Sequence, residues 1–83
     1  MVDDVRLLPN LKRVEIHYNN ITDISPLSNL TNLEGLSLTS NNITDISALS
    51  NMTNLEWLYL FNNNITDFSP LDNLPYINRA DYE

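Results

Sequence analysis

The sequence predicts an α/β-class solenoid, with a parallel β-sheet on one face of each coil and short 3₁₀-type turns on the other. Three observations carry this. Shifted by 22 residues, the chain matches itself: 8–29 reads LPNLKRVEIHYNNITDISPLSN, 30–51 reads LTNLEGLSLTSNNITDISALSN, 52–73 reads MTNLEWLYLFNNNITDFSPLDN, and 74–83 begins a fourth copy. The apolar columns hold in every copy, among them Leu8/Leu30/Met52/Leu74, Leu11/Leu33/Leu55/Ile77 and Ile16/Leu38/Leu60/Tyr82. Such columns stack on themselves when the copies stack, because one coil cannot bury its own Leu residues and its neighbours can. Finally, each copy holds one short run that alternates outward and inward, the pattern of a strand with one buried face.

Each element follows in chain order. Val2 and Val5 fall on the columns of Ile24 and Leu27, so residues 1–7 read as the convex half of a preceding coil. Residues 13–17 form the first strand, with Val14 and Ile16 inward; 35–39, 57–61 and 79–83 are its equivalents. Strands that recur in one direction make a parallel sheet. Asn19, Asn41 and Asn63 follow the strands and are expected to form a ladder of buried amides bonded to the backbone of their own and adjacent coils. Ser25-Pro26 and Ser69-Pro70 read as turn starts, with Ser capping and Pro in the first position; Ser47-Ala48 keeps the Ser. About four residues remain before the next Leu, room for a single 3₁₀ turn. The domain reading is thus one unit over 1–83: a partial half-coil at 1–7, full repeats at 8–29, 30–51 and 52–73, and a partial repeat at 74–83.

Composition excludes several classes. The 83 residues include 4 basic and 11 acidic side chains, a net charge of −7, which argues against binding a phosphate backbone. No cysteine is present, so disulfides, Cys-zinc sites and thiol catalysis are out. A single glycine excludes a glycine-rich phosphate loop. There is no apolar run long enough for membrane insertion, and the first residues show no signal peptide.

The pattern LxxLxxLxLxxNxIxDIxPLxxL, spelled by Leu8 through Leu30 and marked by the Asn-Asn-Ile-Thr-Asp-Ile-Ser run, resembles the 22-residue leucine-rich repeats of bacterial internalins over at least residues 8–77. The resemblance implies a curved, right-handed leucine-rich-repeat solenoid. It also implies a bacterial surface or extracellular location and a host-protein partner held on the concave sheet.

The outward strand positions give that concave face its rows: Arg13/Glu15/His17, Gly35/Ser37/Thr39, Trp57/Tyr59/Phe61 and Arg79/Asp81/Glu83. The third row is an aromatic ridge, and the small second row beside it predicts a shallow trough. On the ridge's other side Arg79 is expected within one strand spacing of Trp57, close enough for a cation–π contact. Exposed aromatics among polar groups have the composition of a binding hot spot. Trp57, Tyr59 and Phe61, helped by Arg13, Glu15, His17, Arg79 and Asp81, are therefore the candidate partner-binding residues. His17 has two readings, a pH-sensitive contact or a solvated edge residue. The Asp23/Asp45/Asp67 column invites calcium, but carboxylates at such turns more often accept local backbone N–H bonds, and no metal or other cofactor is expected.

Function is read as a non-catalytic protein-interaction module. The alternative is an excised or designed solenoid segment that self-associates, through its aromatics or its open coil ends, into homo-oligomers. No nucleophile–base pair can be assembled from the concave positions, which argues against an enzyme.

Overall fold

The computed structural model describes residues 11–78 and Tyr82. Three strands, β1 (Arg13–Glu15), β2 (Gly35–Ser37) and β3 (Trp57–Tyr59), pair in parallel in the order β1-β2-β3. The register is the repeat itself: Arg13, Gly35 and Trp57 are in line, as are Glu15, Ser37 and Tyr59. The ladder runs past the strand ends, with the Ile16 and Leu38 N–H groups donating to the Ser37 and Tyr59 carbonyls at 2.9 Å each. The expected half-coil at 1–7 and, apart from Tyr82, the expected strand at 79–83 lie outside the described residues.

The predicted inward residues are inside. Leu33, Leu36, Leu38, Leu55 and Leu58 have no exposed surface, and Val14, Ile16 and Leu60 are buried beside them. Tyr82 is also buried, its ring 5.5 Å from that of Phe68. Burying a Leu or Ile side chain contributes roughly 1.5–3 kcal/mol. The columns supply this at every coil, which makes the fold an interface-stabilised solenoid.

The other side of each coil is a 3₁₀ turn, at Ser25–Asn29, Ser47–Leu49 and Ser69–Leu71, with Pro26 and Pro70 near the starts of the first and third. The expected Ser cap is not how these turns begin. Ser is already inside the turn, and the position before it is apolar Ile24, Ile46 or Phe68, committed to the core. The capping acceptor is instead the Asp two residues before each Ser. The Ser25, Ser47 and Ser69 N–H groups donate to Oδ1 of Asp23, Asp45 and Asp67 at 2.9, 2.9 and 3.0 Å.

The Asn ladder exists, but its members differ in depth. Asn41 is buried: its Nδ2 donates to the Ile16 and Leu38 carbonyls at 2.9 and 2.8 Å, and its Oδ1 accepts from the Asn19 and Ile21 N–H groups, each at 3.1 Å. Asn63 is half-buried and bonds the Leu38 and Leu60 carbonyls and the Ile43 N–H in the same way. Asn19 is exposed rather than buried, and its amide donates to the His17 carbonyl. The residue before each ladder Asn (Tyr18, Ser40 and Asn62) takes a left-handed backbone, with φ of 58°, 63° and 59°.

Candidate functional site

The sheet carries the three outward rows on short, well-paired strands. Their side chains do not stand straight up. Trp57 leans back across β2 and lies on Gly35, where it meets Arg13; the guanidinium carbon is 5.5 Å from the indole centroid. Arg13 and Trp57 are two strand spacings apart, ~9.6 Å between backbones, and only long side chains crossing a residue with no side chain can meet. From the other direction His17 reaches to β2, with Nε2 2.7 Å from the Ser37 hydroxyl.

The expected trough is therefore covered. Gly35 and Ser37 are buried, and Thr39 is half-buried. His17 is not simply solvated: its ring is exposed, yet it is tethered to β2. The cation over Trp57 among the described residues is Arg13, while Arg79 and Asp81 lie outside them.

What stands out from this floor is the rest of the aromatic row. Tyr59 is 37% exposed and Phe61 43%. The rings form a run, Trp57 to Tyr59 at 5.5 Å and Tyr59 to Phe61 at 6.1 Å between centroids, tilted by 34° and 28°. Such offset stacks hold their members in place at about 0.5–1.5 kcal/mol per pair beyond burial. Exposed Glu15 lies two strands from the row, and exposed Glu34 and Glu56 precede β2 and β3, where Lys12 pairs with Glu34 at 3.8 Å.

An exposed aromatic that the alternation pattern did not single out is Tyr18, 79% exposed, with its ring edge-on to His17 at 6.2 Å. The signal was its column: it shares a left-handed position with Ser40 and Asn62, and a bulky residue is uncommon there.

The Asp column is occupied with turn-making. Hydrogen bonds from the Ser25 N–H and hydroxyl hold the Asp23 carboxyl below its ordinary range, and Ser69 does the same for Asp67. Among the described residues no group of three or more His, Cys, Asp or Glu side chains is placed to hold a metal ion, and no helix is long and apolar enough to cross a membrane.

A solenoid of 22-residue coils, with a parallel sheet inside and Asp-capped 3₁₀ turns outside, defines the class, and family comparison agrees. The family described as Leucine Rich repeats (2 copies) matches residues 9–51, and Leucine Rich Repeat matches 54–74. The chain belongs to the leucine-rich repeat family, whose fold is a protein-interaction scaffold rather than a catalytic one.

Within that family its repeats are of the internalin type. The crystal structure of an internalin (inlF) from Listeria monocytogenes superposes with a TM-score of 0.89 at 44% identity, covering 93% of this chain and 23% of that one. An internalin C2 from the same organism superposes at 0.75 with 32% identity, covering 93% of this chain and 44% of that one. The chain thus spans less than half the length of either structure. No curated protein sequence matches it.

Proposed function

We propose that this repeat module binds a protein partner on its concave face, with Tyr59 and Phe61 as projecting anchors and Trp57 and Arg13 as the floor beside them. Glu15 and His17 supply polar contacts at the β1 edge, and Arg79 and Asp81, outside the described residues, are candidate contacts by their place in the repeat. The observation that carries the reading is the stacked row itself: two large aromatics more than a third exposed, pre-ordered by a third, on a rigid sheet. Rigid aromatics already in their bound geometry lose little entropy on binding. The internalin-type repeats support a bacterial surface or extracellular setting for that partner.

A selection for binders tests this. Displayed peptides are selected on the native chain, then measured on a Tyr59→Ser/Phe61→Ser variant and on a convex-face control, Ser50→Lys. Loss of two anchors should weaken the selected binders by at least about 30-fold, and the convex change should leave them alone. Binders that tolerate the double variant and fail on Ser50→Lys would move the site to the convex face.

A further inference from the structure

We infer that Gly35 is the positioning residue of the concave site: its missing side chain lays Trp57 across β2 and onto Arg13, and this sets the surface that a partner meets. The consequence for binding rests on the concave-face reading above.

Gly35 is the only glycine in the chain, and it sits in a strand, where glycine packs nothing and weakens pairing. Its backbone does not require it. No glycine here has a positive φ, and the Gly35 N–H makes an ordinary ladder bond to the Lys12 carbonyl at 3.0 Å. What requires it is the indole. A Cβ at position 35 would lie 2.6 Å from Trp57 Nε1 and closer still to Cε2 and Cζ2, inside the 3.0 Å that real Cβ contacts keep. The obstacle is a side chain and not backbone, so a methyl group there lifts the ring and leaves the strand in place.

Lifting the ring changes three things together. The indole leaves the Arg13 guanidinium, 5.5 Å from its centroid. It breaks its stack with Tyr59 at 5.5 Å. It also rises into the concavity, where it occupies space that Tyr59 and Phe61 otherwise overlook. Residue 35 therefore selects between two site shapes. With Gly the site is a flat cation–indole floor with two projecting rings. With any larger residue it is a filled site with three. That makes position 35 specificity-determining although its own atoms are buried beneath the site.

Trp57 is the only tryptophan, so its fluorescence reports the indole alone. Gly35→Ala is expected to red-shift the emission and raise quenching by acrylamide while the far-ultraviolet dichroism stays native. Thermal melts then close a cycle. Gly35→Ala should lower Tm when Trp57 is present, and should raise it by about 2–8 °C in a Trp57→Ser background, where only the usual gain from replacing glycine remains. Unchanged emission, or Tm shifts of the same sign in both backgrounds, would overturn the inference. If Gly35→Ala alone fails to fold, a folded Gly35→Ala/Trp57→Ser chain still supports it, and an unfolded one overturns it by showing that the backbone needs glycine. Neither readout involves a partner, so failure here leaves the concave-face reading standing, and failure of that reading leaves these shifts unchanged.

Discussion

Each coil has two halves that obey different rules. The half after the strand is written almost identically three times, with Asn-Ile-Thr-Asp at 20–23, 42–45 and 64–67. The outward strand residues share nothing in register: Arg13 aligns with Gly35 and Trp57, Glu15 with Ser37 and Tyr59. The structure explains both. In the repeated half the Asp starts a turn, and Asn41 and Asn63 each join two coils. In the strand half the inward residues repeat because they stack, and the outward ones are released from that constraint. Repetition within this chain marks stacking, and its absence marks the outward positions on which the proposed binding site is built.

The largest test of this contrast sets one strand position against the next. Leu36→Ala removes a side chain with no exposed surface and should cost about 2–5 kcal/mol, a large fraction of what a domain this small has. Tyr59→Ser, on the exposed row, should cost less, about 1–3 kcal/mol at most, the value of its two ring stacks. Denaturant unfolding of the two variants checks both figures. Equal losses would erase the division between stacked inward residues and free outward ones.

A smaller effect separates members of the ladder. Asn41→Ala strands the part-buried Asn19 and Ile21 N–H groups and the buried Ile16 carbonyl, while the Leu38 carbonyl keeps Asn63, and should cost about 1–3 kcal/mol. Asn19→Ala, at an exposed site, should cost about 0.5 kcal/mol, since water replaces its partners. The same residue in the same column would then differ severalfold in worth, according to what stacks around it. A comparable loss for both would mean that the column acts through local turn geometry alone.

This contrast also sets what is legible in the sequence. The period, the inward residues and the parallel register follow from position in the repeat, and a 22-residue shift reads them directly. The Ser and Asp of each turn are both visible as polar turn residues. Which of them caps depends on where the turn begins, and a shift of one residue moves Ser from cap to interior. Least legible is the lean of the outward side chains. Alternation says that Trp57 and His17 face the concavity. That they fold over Gly35 and Ser37 depends on rotamers and on the row beside them, which no pattern along one strand encodes. Arg13 supplies Trp57 with a cation from two strands back because glycine lies between.

The smallest effect tests whether the repeated half is electrostatically active as well as geometrically fixed. Asp23 and Asp67 titrate below their ordinary value of 3.8 because Ser25 and Ser69 donate to their charged forms. A carboxyl whose pKa is lower folded than unfolded lends stability that is complete above the unfolded value and is lost as the pH falls through the folded one. Both groups are exposed, so solvent screens most of the gain. Asp23→Asn/Asp67→Asn keeps an oxygen acceptor for each Ser N–H and removes the charge that titrates. Melts at about pH 5 and about pH 3 should then show the native chain losing more Tm on acidification than the double variant. Equal losses would mean that these turns need an acceptor of the right shape and draw nothing from its charge, leaving the column a geometric device that an Asn in every copy would serve as well.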